Sequence, residues 1–592
     1  MNKVLIVALS SKYVHTLLAP YYLKENCSFK DISILQSNIN IDENTLLAQI
    51  LNYNADIIAF SCYIFNIKTV TNLCKILKAQ YGKTILLGGP EVSFEYEAHF
   101  AYADFIMLGE GEIVFDKLIN TLVNEKAKKE LQTQTASDTN AQTASNINTQ
   151  TASDINAQNG DINAQNANDF TVNAPNLLSK KMLQVETLPK VLRGEDTNLQ
   201  TIKTPYTAEY FEAVEGKLAY FEASRGCPYK CSYCMSATME LRFFDLSYVF
   251  CELEKFKHKN IRVLKFIDRT FNAKASFSNA ILEYVIKNCD DFPFTFHFEI
   301  APELIDDKMV EILKQSPKGF IQFEIGVQTF NEQALEAINR PFHRAKLLEN
   351  IAKLTSLGNC HIHTDLIAGL PYEGFESFKN SFNSLYKLNS NQLQLGFLKV
   401  LKGSEIKGKL GEGFVYSATP PYEIESTPVL SANELAILKA LENVFDKLYN
   451  SQKFENVLKY FMLSYLSPFD FYLDFANFTA KSSVSTLFDL HQQIVAFASY
   501  KNMNTALIKD ILRFDYSTTN NSRRLPPAIS VEFDKNFKKQ LVLKEIDFKE
   551  KFCINLNFNP ITFEPQQLIL QVDYSKFDKV YKAYSYKFFA FS

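Results

Sequence analysis

The chain has 592 residues, 46% of them apolar, and a net charge of −4. That length suits about three domains with sizeable cores, and the slight acidity excludes a global electrostatic footprint for nucleic acid. No apolar run reaches the ~18 residues of a membrane-spanning helix, and the run from Val4 to Leu9 is shorter than the apolar core of a secretory leader. Ten cysteines, scattered apart from one group of three, fit a reducing compartment. A cytoplasmic protein with no membrane partner is expected.

Residues 1–125 alternate short apolar runs with helix-length stretches. Strands are predicted at Lys3–Leu9, Asp31–Leu35, Asp56–Ser61, Thr84–Leu87 and Asp104–Leu108. Between them lie helical patterns such as 67–81, where Val70, Leu73, Ile76 and Leu77 share a face. This alternation implies a doubly wound, flavodoxin-like parallel sheet, whose ligands bind at the carboxyl ends of the strands. Those ends carry Ser10-Ser11, Ser61-Cys62-Tyr63, Gly88-Gly89-Pro90-Glu91 and Gly109-Glu110-Gly111-Glu112. Glycines there allow either a tight βα turn or a close backbone approach to a ligand. Taken together, Ser61, Gly88, Gly89, Pro90 and Gly109, Glu110, Gly111 and Glu112 resemble the cobalamin-binding domain found ahead of many radical S-adenosylmethionine (SAM) domains. The resemblance implies that these positions bind cobalamin, with Ser61, Gly88 and Gly89 lining its buried nucleotide tail. The D-x-H-x-x-G cobalt-ligand motif of methyltransferase relatives is absent after the first strand. His15 lies in the corresponding loop, where it is either a structural or surface histidine or a cobalt ligand.

After Lys129 the composition changes. Gln134-Thr135-Ala136-Ser137 recurs from Gln142 and from Gln150, and Asp-Ile-Asn-Ala-Gln occurs at Asp154 and Asp161. A stretch this poor in apolar residues cannot bury a core, so residues 126–179 are expected to form a disordered insert. Residues 180–216 then read as a connecting segment punctuated by Pro189 and Pro205.

The strand run at 218–222 is followed by Cys227-Pro228-Tyr229-Lys230-Cys231-Ser232-Tyr233-Cys234. Thiolates at C-x3-C-x2-C spacing can hold a metal or an iron–sulfur cluster, because one tight loop brings the sulfurs together. A zinc site would need a second ligand pair, and none occurs at suitable distance; Cys251 sits in a helical pattern. Three thiolates on a 4Fe-4S cube leave one iron open. The triad, with Tyr233 before its last cysteine, resembles the signature of radical SAM enzymes.

Further strands are expected at Arg262–Ile267, Phe294–Ile300, Gly319–Gly326, His361–Ile367 and Gln394–Val400. Six βα units over 217–410 suggest a partial (β/α)6 TIM-like barrel with functional residues at the carboxyl ends of its strands. Polar residues recur there: Asp268-Arg269-Thr270, Glu299, Gln328 with Arg340 beyond it, and Asp365 ahead of Gly369-Leu370-Pro371. This segment is similar to the radical SAM group that includes oxygen-independent coproporphyrinogen oxidase. The resemblance implies that Glu299 holds the SAM amino group, Gln328 and Asp365 the ribose hydroxyls and Arg340 the carboxylate, with the adenine near Tyr233. The residue types suit those groups: an ammonium pairs with a carboxylate, and a carboxylate with a guanidinium fork. Asp268 and Arg269 either contact substrate or SAM as catalytic residues, or form a structural ion pair. Tyr372 and Glu373 are weaker candidates of the same kind.

Residues 411–592 form an accessory domain. A capping box at Ser431-Ala432-Asn433-Glu434 starts a helix expected to run to about Tyr449. Helical pattern continues to about Arg513, and the end, from Ile529, reads as strands, as at 568–572. The three-part order resembles uncharacterised cobalamin-binding radical SAM proteins with an additional C-terminal domain. The resemblance implies an enzyme with a 4Fe-4S cluster held by Cys227, Cys231 and Cys234, SAM and cobalamin. It would draw electrons from a reductant such as flavodoxin or ferredoxin and generate a 5′-deoxyadenosyl radical, with methylation of an unactivated carbon as the outcome. Two alternatives stand: radical rearrangement, cyclisation or oxidation without methyl transfer, and a non-catalytic sensor that binds SAM and a cluster.

Overall fold

The structure is a computed structural model. It describes residues 3–124, 189–340, 343–480, 482, 486–531, 535–547 and 551–590. The insert expected at 126–179 lies outside the described residues.

The N-terminal sheet contains β1 (Val4–Ser10), β2 (Ile32–Asn38), β3 (Ile57–Ser61), β4 (Thr84–Gly88), β5 (Phe105–Leu108) and β6 (Val191–Arg193), all parallel and in the order β2-β1-β3-β4-β5-β6. Every residue of β1 and β3 is buried, which is why both read as unbroken apolar runs. One core, with Leu5, Val7, Val70 and Leu73, lies on one face. A second core, with Val4, Ile6, Phe115 and Leu118, lies on the other. The sheet is therefore doubly wound, as its pattern predicts. The sixth strand comes from the segment read as a mere connection: Val191 pairs with Ile106 and Arg193 with Leu108. Three residues are too few to carry a strand signal of their own.

The central sheet has six parallel strands, Leu218–Phe221, Val263–Phe266, Thr295–Glu299, Ile321–Gln328, His361–Ala368 and Gln392–Phe397, paired in sequence order. They form the expected open barrel. Its aromatic core includes Phe221, Phe266, Phe296 and Phe298. Leu18, Tyr21 and Tyr22 of the first domain belong to this same core, with Tyr21 edge-on to Tyr210 at 5.1 Å. The loop after β1 also abuts the open edge of the barrel, where Leu218 N–H donates to the Val14 carbonyl at 3.0 Å. The two domains thus pack through a shared core.

The C-terminal region is mostly helical. The capping box at Ser431 and Glu434 is present, and its helix spans Ala432–Phe445 before a π-helical turn at Asp446–Asn450. The strand-like reading from Ile529 is corrected: a helix at Lys535–Leu543 comes first. A three-stranded antiparallel sheet follows, at Phe552–Phe558, Pro565–Asp578 and Ala583–Ala590. Among the described residues, no helix is long and apolar enough to cross a membrane.

Candidate active site between the first domain and the barrel

The three cysteines sit on a loop tied down from three sides. Its base is the antiparallel pairing of Ser224 and Arg225 with Phe243 and Arg242. Gly226 has φ +88°, and a Cβ there would overlap the Glu240 carbonyl, so glycine is required. Ser232 N–H donates to the Ile338 carbonyl at 2.9 Å, and the Ser232 carbonyl accepts from Ile406 N–H at 2.8 Å. Cys231 is buried, and Cys227 and Cys234 are half-buried. The Thr270 hydroxyl lies 3.4 Å from Cys227 Sγ. Arg340 Nη1 lies 3.7 Å from Cys231 Sγ, while its Nη2 donates to the Gly326 carbonyl. Among the described residues, no three Cys, His, Asp or Glu side chains converge on a single-ion site. Three thiols on one loop, all facing the same cavity, are the donor set of a 4Fe-4S cluster with one iron left open.

A cavity of about 220 Å³ opens beside the cysteines. Cys227, Cys231 and Cys234 line it together with Tyr233, Arg269, Thr270, Glu299, Glu324, Gln328, Arg340 and Asp365. Every residue the sequence grouped with SAM therefore faces one space. Tyr233, Gln328 and Asp365 also border an adjoining cavity of about 280 Å³, which Lys399 lines as well. Gln328 lies at a register shift in the fourth strand, with φ +71°, a conformation rare outside glycine and typical of functional sites. A Cβ on Gly326 would overlap Gln328 Nε2. Gln328 Oε1 is buried without a hydrogen-bond partner. Asp365 Oδ1 lies 3.1 Å from His363 Nε2, yet neither atom is aligned for a hydrogen bond. Such orphaned acceptors fit a ligand that brings hydroxyl donors.

Sequence reasoning missed the polar interior behind these residues. Lys265 Nζ lies 3.1 Å from Glu299 and 2.9 Å from Glu324, and His297 Nε2 meets Glu324 at 2.9 Å. Burial alone would raise the Glu324 carboxyl, but His297 and Lys265 hold it well below the usual range. Burial lowers His297 despite that partner. The signal was present: in the third strand Phe296 and Phe298 point into the aromatic core, while the alternate His297 and Glu299 point the other way.

A larger cavity, about 510 Å³, lies between the first domain and the barrel mouth. From the first domain Ser10, Ser11, Ser61, Tyr63, Gly88, Gly89, Gly109, Gly111 and Glu112 line it; from the barrel Tyr220, Lys265, Arg269 and Glu299 do. Gly89 has φ +112°, and a Cβ there would lie 2.6 Å from the Cys62 carbonyl. On Gly109 a Cβ would lie 2.7 Å from the Gly194 carbonyl. The cavity lies at the switch point between β1 and β3, where Ser10 and Ser61 line it, and the glycines after β4 and β5 extend its rim along the strand ends where such sheets bind ligands.

Four expectations need correction. Pro90 is exposed and does not line the cavity. Glu110 does not line it either; it pairs with Arg225 at 3.0 Å and with Arg242, and accepts from Thr197 N–H at 2.7 Å. Asp268 forms no ion pair with Arg269. Its carboxylate accepts from Ala223 N–H at 3.1 Å and from the Ser224 hydroxyl, and burial pushes it up to about 7. Glu373, weighed as a substrate contact, is fully buried and accepts from Thr329 and Ser381. His15 lines the cavity, but Nδ1 is engaged by the Tyr220 hydroxyl at 2.8 Å. Arg225, just ahead of the cysteines, emerges as an interdomain hub, 2.6 Å from Glu112 and 3.1 Å from Glu222.

Comparison with known proteins gives these parts their family. Residues 4–119 match the B12-binding domain, residues 221–385 the radical SAM superfamily, and residues 412–587 a protein of unknown function, DUF4080. The 2-(S-pantetheinyl)-carbapenam-3-carboxylate methyltransferase of Streptantibioticus cattleyicolor is 24% identical over 352 residues, covering 57% of this chain and 46% of its own length. The cobalamin-dependent radical SAM methyltransferase TokK of Streptomyces tokunonensis is 24% identical over 353 residues, with coverage of 57% and 46%. The chain thus spans about half the length of these curated relatives. The cobalamin-dependent SAM radical enzyme OxsB shares the fold, with a TM-score of 0.52 at 12% identity over 92% of this chain and 74% of that one. TsrM of Kitasatospora setae, with cobalamin and a [4Fe-4S] cluster bound, gives 0.50 at 12% identity over 73% and 84%. The chain is thus an enzyme that joins a B12-binding domain and a radical SAM domain, whose cofactors are cobalamin, SAM and a 4Fe-4S cluster, to a C-terminal domain of unknown function.

Proposed function

We propose that this enzyme methylates an unactivated carbon of its substrate in a cobalamin-dependent radical reaction. The observation that carries this reading is the junction of the two cavities: Arg269 and Glu299 line both. A radical formed beside the cysteines would face the interdomain cavity directly, without crossing the protein. The two cited methyltransferase relatives support the same chemistry.

In this reading the bound groups supply an electron for SAM cleavage, a 5′-deoxyadenosyl radical and a methyl group. Cys227, Cys231 and Cys234 hold the cluster. Arg340 is already at the mouth, held by the Gly326 carbonyl, and pairs with the SAM carboxylate. Glu299 takes the SAM ammonium with one carboxylate oxygen while Lys265 holds the other. Gln328 and Asp365 accept from the ribose hydroxyls through atoms that are otherwise orphaned, and the adenine packs by Tyr233 in the adjoining cavity. Ser61, Gly88, Gly89, Gly109 and Gly111 border the cobalamin. The loops of both domains exclude water from the reacting atoms. The enzyme works in the cytoplasm, with flavodoxin or ferredoxin as reductant.

The test is anaerobic reconstitution with iron, sulfide and cobalamin, removal of the excess, and quantification on the protein, followed by assay of 5′-deoxyadenosine under reduction. The expected result is about four irons and one cobalamin per chain, with 5′-deoxyadenosine formed by the wild type and lost in Cys231→Ala. Retained formation in that variant would sink the catalytic assignment. A cluster without retained cobalamin would replace methyl transfer by rearrangement or oxidation.

A further inference from the structure

Arg269 stands out from its surroundings. Its neighbours Asp268 and Thr270 are 1% and 4% exposed, while Arg269 itself is exposed. The loop that carries it is rigidly held. Asp268 is tied to Ala223 and Ser224. The Asn272 side chain donates to the Ala301 carbonyl at 2.8 Å and accepts from Ala301 N–H at 2.9 Å. Phe271 is buried. The backbone that carries the guanidinium is thereby fixed at the junction of the two cavities, both of which Arg269 lines.

No carboxylate there neutralises it. Glu299 and Glu324 are held by Lys265, Glu112 and Glu222 by Arg225, and Asp365 lies against His363. Among the described residues Arg269 has no ion pair and no side-chain hydrogen bond, unlike Arg225, Arg242 and Arg340. The site thus holds two guanidiniums facing one space. Arg340, beside the cysteines, is assigned above to the SAM carboxylate, and Arg269 remains for a second anion.

We propose that Arg269 anchors an anionic group of the substrate, a carboxylate or a phosphate monoester, so that the substrate is a small acid or phosphorylated molecule held across the cavity junction. The inference rests on the function proposed above. A planar fork of N–H donors pairs with either anion through two parallel bonds, and an anchor carried on this held loop would orient a carbon toward both cavities.

The test uses the oxidised holoenzyme carrying cluster, cobalamin and SAM. Trifluoroacetate and methylphosphonate are the probes, followed by 19F and 31P line broadening, with trifluoroethanol as the neutral control. Saturable broadening of at least one anion and none of the alcohol is expected. Arg269→Gln should weaken it by about tenfold or more, the effect of losing a charge-assisted pair, and Arg269→Lys should restore part of it. No saturable broadening, equal broadening with the alcohol, or full broadening in Arg269→Gln would overturn the proposal. So would a roughly tenfold loss of SAM retention in that variant with anion broadening unchanged, which would give the guanidinium to SAM. Any of these failures leaves 5′-deoxyadenosine formation by the wild type intact. Failure of the proposed function is read from that product instead.

Discussion

Arg225 Nη2 lies 2.6 Å from Glu112 Oε1, joining the cysteine-bearing loop to a helix that starts 113 residues earlier in the chain. Both side chains are only 8% exposed, and Glu110 and Glu222 share the same guanidinium. Removing the cation strands buried carboxylates. Arg225→Met should therefore cost about 3–5 kcal/mol, read as a lower urea midpoint, and should loosen the cavity between the domains. A cost below about 1 kcal/mol would mean that the network is solvated.

Two glycines separate backbone strain from close approach. Gly82 has φ +59° with nothing near its missing Cβ, so Gly82→Ala should cost about 1–2 kcal/mol. Gly89, at φ 112° and ψ 172°, occupies a region open essentially to glycine alone, and its Cβ would strike the Cys62 carbonyl. Gly89→Ala should cost about 3 kcal/mol or more and should lower cobalamin retention. Gly82→Ala should leave retention unchanged. Equal losses for the two variants would exclude a role of this rim in ligand contact.

Gly326→Ala should act on ligand rather than fold. The strand backbone accepts alanine, and the displaced neighbour is the flexible amide of Gln328. A stability cost within about 1 kcal/mol is expected, together with a roughly tenfold loss of SAM affinity as one polar contact is misplaced. Equilibrium dialysis with SAM checks it. Unchanged affinity would remove Gln328 from the SAM contacts.

The Glu373 carboxyl gives a pH signature. Burial pushes it up to about 7, although Thr329 and Ser381 donate to it. With the folded value above the ordinary 4.5, the folded state holds this proton more tightly than the unfolded chain. The associated stability is complete below pH 4.5 and is lost as pH rises through about 7. Glu373→Gln, which mimics the protonated group, should match the wild type near pH 5 and exceed it near pH 8 by about 1–3 kcal/mol. Denaturation midpoints at the two pH values test this. A difference independent of pH would place the titration elsewhere.

Much of the fold was legible in the sequence. Each of the eleven strands read from apolar runs before residue 410 overlaps an observed strand; Lys3–Leu9, for example, corresponds to Val4–Ser10. Parallel strands buried on both faces have to be apolar throughout, so they announce themselves. The strand at Val191–Arg193 did not, because it exists only through its pairing with β5. The helix at Lys535–Leu543 lies in a stretch whose content of Phe, Val, Ile and Lys reads as strand.

The candidate site was legible in its residue types and less so in its pairings. Tyr233, Glu299, Gln328, Arg340 and Asp365 share a cavity with the three cysteines. Glu110, at an equally suggestive strand end, is instead engaged by Arg225 and Arg242, and Asp268 faces Ser224 rather than its neighbour Arg269. Lys265 and His297 went unnoticed because a lone charged residue in a strand looks solvated until its partner Glu324 is placed opposite.

By itself, the sequence determined whatever depends on covalent spacing: three thiols within one eight-residue loop, the apolar periodicity of the strands and the glycines at their ends. Only the tertiary structure decided which carboxylate meets which cation, which way Asp268 and Arg269 turn, and that two cavities open into each other between Arg269 and Glu299. Those outcomes rest on strand order and on packing between residues 27 to 132 positions apart. At that range burial and charge pairing act through space, and the chain records the partners without recording which of them meet.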